Sequence, residues 1–322
     1  MNEFELITRL TRSLPTNKSV VVGAGDDCAV LDFGLPDRLL LFKTDAIVEG
    51  IHFPSDAPPE KIGHKALGRC LSDIAAMAGT PTAALVTIAL PQKFDAEAVE
   101  RMYAGMTVLA RKHDVAIVGG ETTTNPERIL ISVALLGQVP RGKATLRSGA
   151  EAGDAIFVTG ELGGSLSGKH LEFEPRLAEG RWLAQHFSIH AMLDVSDGLA
   201  GDLRHVLKAS RVGAELLAAS IPISRAAKEA SRSRARESGG GPPIPIGGHK
   251  PPLLAALTDG EDFELLFMVA GRDAVPLLDA WKKEFSKLPL TCIGKITASE
   301  GVHIRDKEGV RPLNAHGYEH FA

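Results

Sequence analysis

Short apolar runs alternate with amphipathic segments through the first 140 residues of the chain. Ala83–Leu90 and Ile129–Gln138 have the length and apolar character of buried strands. Pro58–Gly79 and Asp95–His113 have the apolar spacing of helices. Because strands that alternate with helices are typical of α/β domains, the sequence predicts an α/β fold for this part of the chain.

A polar, glycine-containing stretch follows, and we place a domain boundary between residues 140 and 141, which predicts domains at 1–140 and 141–322. In the second domain, strands are predicted at Ala155–Thr159, Ala191–Val195, Glu215–Ile221, Glu264–Val269 and Thr291–Ile296, the last clear strand. Glycine and proline runs in residues 238–252 prevent regular structure, so we predict a mobile loop there.

Composition excludes several classes of protein. The net charge of -4 argues against nucleic acid as the main partner. Cys28, Cys70 and Cys292 are far apart and form no CxxC pair, which argues against a disulfide framework or a zinc site and favours a reducing cytoplasm. The N-terminus carries acids and no long apolar core, so a signal peptide is not expected. No window is apolar enough for a membrane helix, so a membrane partner is not expected either.

Acidic residues stand beside glycine or at the predicted ends of strands and helices. The set comprises Asp26, Asp27, Asp45, Asp73, Glu121, Asp194 and Asp197. Any one of them also suits a helix cap or a turn. Burying several like charges is costly, and a divalent cation with oxygen ligands removes that cost. The set therefore indicates a magnesium–polyphosphate site to which both halves of the chain contribute.

Three further features are candidates for the same site, and each has a plain structural alternative. Gly119–Gly120 can present N–H groups to a phosphate, or can form an ordinary turn after a strand ending at Val118. Arg147 can clamp two phosphate oxygens, or can be an exposed linker residue. His52 can shuttle a proton, bind metal or contact substrate, or can be a hydrogen-bonded structural residue.

Gly163–His170 matches G-x-x-x-x-G-K, the start of a phosphate-binding P-loop. The P-loop pattern then needs Ser or Thr for magnesium, but position 170 is His. We interpret the segment as a loop that enters a helix, and Lys169 and Arg176 stay candidates for facing phosphate. No Ser-His-Asp or Cys-His arrangement supports a covalent nucleophile.

A series of longer motifs occurs in order along the chain: G-D-D-C-A-V-L, T-D-x-x-V-E-G-x-H-F, L-S-D-I-A-A-M-A-G-x-P, G-G-E-T, R-S-G-A-x-x-G-D, V-T-G-x-L-G-x-S, L-D-V-S-D-G-L-x-x-D-L and G-E-D-F-E-L-L-F. With these motifs the chain resembles the thiamine-monophosphate kinase family, in the superfamily of aminoimidazole ribonucleotide synthetase and selenophosphate synthetase. The resemblance extends from about residue 3 to residue 321.

The resemblance implies a two-domain α/β fold of the aminoimidazole ribonucleotide synthetase type. It implies a homodimer formed through the N-terminal sheets, with the ATP site between the domains. The implied reaction is ATP-dependent phosphorylation of thiamine monophosphate to thiamine diphosphate, with several magnesium ions and without a phosphoenzyme.

The resemblance also implies residue roles. The implied magnesium ligands are Asp27, Thr44, Asp45, Asp73, Glu121, Asp194 and Asp197. The implied ATP contacts are Tyr103, Gly120, Glu121, Arg147 and Ser196. The implied contacts to the thiamine substrate are His52, Glu261 and Tyr318.

Three positions depart from the family pattern. Lys43 replaces the Ser or Thr that often precedes T-D, Glu121 replaces Asp in G-G-D-T, and Ala315 replaces an aromatic residue near the C-terminus. Two other functions therefore stay open. One is a different ATP-dependent synthetase of the purine or selenophosphate type, and the other is a nucleotide-binding protein without turnover.

Overall fold

The computed structural model describes residues 3–237, 250–315 and 317–318. The chain divides into two compact units. The N-terminal unit comprises Leu14–Ala144 and Leu171–Gln185, and the C-terminal unit comprises Met1–Ser13, Thr145–His170 and His186–Ala322. The two-domain division at residues 140 and 141, with the roles assigned to each domain, stays a prediction. Residues 238–249 of the predicted mobile loop lie outside the described residues.

Helices and strands alternate in the first unit and mix in the second, as an α/β fold requires. In the described ranges the helices are α1 (Glu3–Thr11), α2 (Pro59–Ala76), α3 (Ala96–Lys112), α4 (Leu177–His186), α5 (Leu199–Ser210), α6 (Arg225–Glu237), α7 (Pro252–Thr258) and α8 (Ala274–Glu284). The strands are β1 (Val20–Val22), β2 (Ala29–Leu31), β3 (Arg38–Val48), β4 (Thr80–Leu90), β5 (Ala116–Thr124), β6 (Leu130–Pro140), β7 (Ala155–Thr159), β8 (Ile189–Asp194), β9 (Gly213–Leu217), β10 (Leu265–Val269), β11 (Leu290–Thr297), β12 (Gly301–Asp306) and β13 (Gly309–Pro312).

The N-terminal unit is built on one sheet with strand order β1-β2-β3-β6-β4-β5. Strands β3 and β6 pair antiparallel over their whole length, and β4 and β5 pair in parallel. On β3 the side chains of Leu39, Leu41 and Ile47 are buried, whereas Phe42 is exposed. Because successive side chains point to opposite faces of a strand, one face of this sheet meets α2 and the other is open.

Helices α2 and α3 approach each other closely at two glycines. A Cβ at Gly63 would overlap the backbone carbonyl of Met102, and a Cβ at Gly105 would overlap that of Glu60. The Asp95 side chain caps α3 by accepting the Glu97 N–H at 3.0 Å. The glycines thus set the distance between the two helices, and the cap fixes where α3 begins.

The C-terminal unit is built on a second sheet with strand order β13-β12-β9-β11-β7-β10-β8. Its central strands β7 and β10 are buried at every position. Apolar side chains of the sheet, such as Val158 and Leu266, form one core cluster with Leu203 of α5 and Leu257 of α7. In the described part of the chain, no helix combines the length and apolarity needed to cross a bilayer.

Several predicted boundaries are wrong. Strand β3 continues through Asp45, which was expected to follow a strand ending at Phe42. Strand β5 includes Gly119–Thr124, which were expected to form a loop. The β5 ladder shifts register between Ile117 and Gly119, so a bulge at Val118 absorbs the irregularity.

The second unit also differs from its predicted pattern. Gly163–His170 leads into two short 3-10 turns, and the predicted strand at Glu215–Ile221 is β9, which ends at Leu217 before another 3-10 turn. Strands β12 and β13 extend the sheet beyond Thr291–Ile296. These two outer strands, of which β13 is the edge, carry polar and charged residues and surround a short turn, so their apolar signal in the sequence is weak.

We expect Gly63→Ala to lower the thermal melting temperature strongly, because the new methyl group must push α3 away from α2. Overpacking of this kind costs about 1–3 kcal/mol. Gly68→Ala on the same helix is the control, since its Cβ would meet only the tip of the Phe173 ring, at 3.0 Å. Circular dichroism melts of both variants measure the difference, and equal melting temperatures would contradict the close approach.

Candidate active site

A lysine joins two predicted metal ligands in the N-terminal unit. Lys43 and Asp45 lie on the same face of β3, the face that meets α2. The Lys43 Nζ lies 2.8 Å from Asp73 Oδ1 on α2 and 3.9 Å from Asp45 Oδ1. Arg69 Nε lies 3.6 Å from Asp45 Oδ2. The structure therefore brings Asp45 and Asp73 together around an ammonium group.

Asp27 is the most deeply buried of the predicted acids in this unit, with 1% of its surface exposed. Its backbone N–H donates to Asp26 Oδ1 at 3.0 Å, and the next N–H, that of Cys28, donates to Met77 Sδ at 3.0 Å. The first bond lies within the G-D-D-C turn, and the second fastens the turn to Met77 at the end of α2. The Asp27 carboxylate is thereby close enough to influence the charge of Lys43.

Nearby charges and burial set the protonation of the Lys43 ammonium and of the neighbouring Cys28 thiol. Burial alone would lower the pKa of Lys43, but the carboxylates of Asp73, Asp45 and Asp27 outweigh it and raise that pKa well above its usual value. Burial, with the charge of Asp73, raises the pKa of the Cys28 thiol. Low-pKa thiols are the reactive ones, so Cys28 is unsuited to act as a nucleophile.

Other predicted residues of this unit lie apart from the carboxylates. By strand alternation the Thr44 side chain points to the opposite sheet face, where its Oγ1 lies 3.4 Å from Ser132 Oγ. Glu121 is exposed on the edge strand β5. Gly120 comes so close to β4 that a Cβ would overlap the Val86 carbonyl. Tyr103 lies on α3 beside Met102, which contacts the first half of α2 rather than the turns near Asp73.

His52 is held by hydrogen bonds to its ring and to its backbone carbonyl. Its Nδ1 accepts the Val48 N–H at 3.1 Å, and its backbone carbonyl accepts the buried Lys65 ammonium. Because Nδ1 acts as an acceptor, the neutral ring carries its proton on Nε2. His52 is thus oriented as a donor through Nε2.

The predicted acids of the C-terminal unit gather at the end of β8. Asp194 ends the strand, and Asp197 follows in the turn before α5. The ligand atoms of Asp197, Asp202 and His205 all lie within 4.8 Å of one another. The Asp197 N–H donates to Asp202 Oδ2 at 3.0 Å. Arg147 is close enough to act electrostatically on both Asp202 and His205.

Burial and nearby charges shift the pKa values of Asp202 and His205. Burial, then the charges of Asp197 and Asp194, raise the pKa of Asp202 well above its usual value. Burial, with the cations Arg147 and Lys208, lowers the pKa of His205 to about 4. His205 is therefore neutral at physiological pH, and a cation placed among these carboxylates would favour the ionised form of Asp202.

The same turn holds the predicted substrate residues of this unit. The Ser196 carbonyl accepts the Glu261 N–H at 2.6 Å, and the Asp197 carbonyl accepts the Tyr318 N–H at 2.8 Å. Glu261 has a left-handed backbone, with φ of 63°, and its Oε2 lies 3.0 Å from His170 Nδ1. Strained backbone of this kind persists only where the surroundings fix it, and it is common at binding sites.

Gly163–His170 does not have the donors of a P-loop available for phosphate. The Gly163 N–H donates to the buried carboxylate of Asp262, and the Gly164 N–H donates to Asp259 Oδ2 at 3.1 Å. Lys169 Nζ lies 2.9 Å from Glu264 Oε1. Carboxylates of the chain thus occupy the positions that a P-loop reserves for phosphate oxygens, which supports the interpretation of this segment as a structural loop.

Sequence reasoning missed two residues and one contact of these groups. Asp202 and His205 were not singled out, although Asp202 belongs to the quoted motif S-D-G-L-x-x-D-L. The spacing of five residues from Asp197 places it in the first turn of α5, which is the signal that marks it. The contact between Lys43 and Asp73 has no local signal, because thirty residues separate the two.

Comparison with known proteins identifies the family. Residues 25–139 match the family model described as AIR synthase related protein, N-terminal domain. A thiamine-monophosphate kinase of Rhodopirellula baltica is 42% identical over 300 residues, covering 91% of this chain and 87% of that protein. The chain belongs to the thiamine-monophosphate kinase family. A thiamine-monophosphate kinase of Bacillus subtilis is 32% identical over 100% of both chains.

A solved structure agrees with membership of the thiamine-monophosphate kinase family. The structure described as AaThiL complexed with AMPPCP and TMP superposes with a TM-score of 0.78 and 29% identity, over 99% of this chain and 97% of that one. The predicted fold and the predicted enzyme class, a phosphotransferase, are confirmed by these relatives. The predicted roles of individual residues stay predictions.

We expect Asp262→Asn to change how stability depends on pH. Burial raises the pKa of Asp262 from 3.8 to about 7. Its contribution to folding is therefore complete below the unfolded pKa and is lost as pH rises towards 7. Between pH 5 and pH 7 the wild type should lose up to a few kcal/mol relative to the variant, at about 1.4 kcal/mol per pKa unit.

Denaturant unfolding of both proteins across this pH range measures the effect. Asp306→Asn is the control, because Asp306 pairs with Arg311 at the surface and its pKa is lowered. Asp306 is ionised throughout the range, so its variant should follow the wild type. A constant difference between wild type and Asp262→Asn would contradict the raised pKa.

Proposed function

We propose that this kinase transfers the terminal phosphoryl group of ATP directly to the phosphate of thiamine monophosphate, which yields thiamine diphosphate. The observation that carries the proposal is the relative that superposes over almost the whole chain and is described with AMPPCP, an ATP analogue, and TMP. TMP is understood as thiamine monophosphate, because the sequence relatives bear the name thiamine-monophosphate kinase.

Magnesium is the cofactor that the donor sets of this chain fit. Asp27, Asp45 and Asp73 in the N-terminal unit offer hard oxygen ligands, as do Asp194, Asp197 and Asp202 in the C-terminal unit, and magnesium prefers such ligands. The raised pKa of Asp202 supports this fit, since crowded carboxylates stay ionised more readily beside a cation. When bound, magnesium would neutralise phosphate charge, which is the main barrier between two anions.

The remaining predicted residues would bind and orient the reactants. Arg147 supplies a fork of donors that matches phosphate oxygens, and Ser196, Gly120, Glu121 and Tyr103 are assigned to the nucleotide. His52, Glu261 and Tyr318 are assigned to the thiamine substrate. The family resemblance also assigns Thr44 and Glu121 to magnesium, although the Thr44 side chain points to the sheet face opposite Asp45.

The transfer is proposed to be direct, without a covalent enzyme intermediate. Phosphoryl transfer depends mostly on positioning and charge stabilisation, so it needs no nucleophile from the protein. The buried thiols of Cys28 and Cys70 have raised pKa values and would be poor nucleophiles. All three cysteines are free thiols, which supports the proposal of a reducing cytoplasmic environment.

A coupled assay with ATP, magnesium and thiamine monophosphate tests the function. We expect thiamine diphosphate from the wild type and a loss of kcat on the order of 100-fold or more for Asp197→Asn, because metal-assisted charge stabilisation is worth several kcal/mol. Asp306→Asn, at an exposed ion pair on β12, should keep the wild-type kcat.

Other outcomes of the assay identify the alternatives. Consumption of ATP only with a purine precursor or selenide would indicate a different synthetase. Calorimetric binding of ATP without any turnover would indicate a nucleotide-binding protein. A wild-type rate in Asp197→Asn would contradict the role of the carboxylates.

We also propose that two copies associate through the open face of the N-terminal sheet. Phe42, Leu85 and Val118 lie on its strands with 49%, 48% and 63% of their surfaces exposed. The side chains of Phe42 and Leu85 alternate with buried neighbours, so both point away from α2. Exposed apolar side chains gathered on one sheet face are typical of an interface.

Sedimentation equilibrium tests the association. The wild type is expected to be a dimer, and Leu85→Glu is expected to shift it towards monomer, because a charge would be buried without a partner. Val275→Glu is the control, since Val275 is also exposed but lies on α8 of the other unit. A monomeric wild type at micromolar concentration would rule out this interface.

A further inference from the structure

The Lys43 ammonium group lies between the carboxylates of Asp45 and Asp73, where a metal ion could otherwise bind. Its ammonium group lies 2.8 Å from Asp73 Oδ1, the distance of a charge-assisted hydrogen bond. It also lies 3.9 Å from Asp45 Oδ1. Lys43 is the second residue before Asp45 on β3, so the strand points both side chains at α2. The contact therefore follows from the strand register rather than from a flexible surface side chain.

The ammonium and a divalent cation make competing demands on the same oxygens. Magnesium binds carboxylate oxygens at about 2.0–2.1 Å and requires near-octahedral geometry around it. An ammonium group hydrogen-bonded to Asp73 Oδ1 prevents that oxygen from presenting its lone pair to a metal on the same side. Arg69 adds a second positive charge, 3.6 Å from Asp45 Oδ2. Much of the negative charge of Asp45 and Asp73 is thus balanced within the chain.

We propose that the Lys43 ammonium is a built-in counter-ion that takes the place of one divalent cation at the Asp45 and Asp73 carboxylates. The inference rests on the proposed function, in which these two residues and Asp27 hold magnesium. It adds that this chain binds one divalent cation fewer than its carboxylates could accept. Lys43 is therefore a positioning residue that keeps the two carboxylates together before any metal binds.

Metal binding without nucleotide tests the proposal directly. Manganese binds the same oxygen ligands as magnesium and can be counted by electron paramagnetic resonance of the free ion. Lys43→Met removes the charge and keeps the length of the side chain. We expect this variant to bind one more manganese ion per chain than the wild type, and added magnesium should displace that ion.

Two variants separate charge from side-chain packing. Lys43→Arg keeps the charge and should keep the wild-type manganese count, whereas Lys43→Gln keeps a donor without charge and should gain the additional ion. Lys61→Met is the matched control, because Lys61 pairs with Glu172 at an exposed position of the same unit. Its manganese count should equal that of the wild type.

Thermal melting gives a second readout that does not depend on the number of bound manganese ions. Without metal, Lys43→Met should melt at a lower temperature than the wild type, since two carboxylates repel each other without their counter-ion. Magnesium should raise its melting temperature more than it raises that of the wild type. Lys43→Gln gives the same test if Lys43→Met does not fold.

Equal manganese counts and equal magnesium-dependent melting shifts in wild type, Lys43→Met and Lys43→Gln would overturn the proposal. Weaker binding of an ATP analogue with an unchanged metal count would also overturn it, because Lys43 would then serve phosphate instead. These readouts need no turnover. If the wild type makes thiamine diphosphate but the manganese counts are equal, only the counter-ion proposal is refuted. If the manganese counts differ but the protein has no kinase activity, only the proposed function is refuted.

Discussion

Buried carboxylates impose the main electrostatic constraint on both units. Asp27, Asp73 and Asp202 are each at most 5% exposed, and so are Asp262 and Glu264. An ionised carboxylate in such a place is strongly disfavoured unless charge or hydrogen bonds compensate for the lost water. The sheets can carry these acids only because each has partners supplied by neighbouring elements. The positions of Lys43, of the Gly163 loop and of the turn after β8 are consequences of that requirement.

The two units compensate in different ways. In the N-terminal unit, Lys43 provides a full positive charge, 2.8 Å from Asp73 Oδ1 and 3.9 Å from Asp45 Oδ1. In the C-terminal unit, backbone N–H groups and a hydroxyl bind Asp262, whose pKa nevertheless rises to about 7. The charge of Lys169 also lowers the pKa of Asp262, but burial outweighs both this charge and the hydrogen bonds. The two sets of acids therefore differ in their partners, because Asp73 contacts a lysine ammonium directly, whereas Asp262 binds the backbone of the Gly163 loop.

The fold was largely predictable from the sequence, and the two wrong strand boundaries at β3 and β5 share one physical cause. Strand β3 was expected to end at Phe42 because Lys43 and Asp45 interrupt the apolar run, yet both side chains keep the two-residue alternation of Leu41 and Ile47. Gly119–Gly120 was expected to turn, but β4 lies so close to Gly120 that only glycine fits at that position, and the strand continues. In each case tertiary contacts decided what the local composition could not.

The acids of the site were visible in the sequence, but their electrostatic partners were not. An acid beside glycine at the end of an apolar run can be recognised locally, which is why Asp27, Asp194 and Asp197 were found. The partner of Asp73 comes from a different strand, and no spacing rule connects position 43 to position 73. The interpretation of Lys43, which departs from the family pattern, therefore changes once its neighbours are known. It is no longer simply a lost hydroxyl ligand, because its ammonium group places a positive charge beside the carboxylates of Asp73 and Asp45.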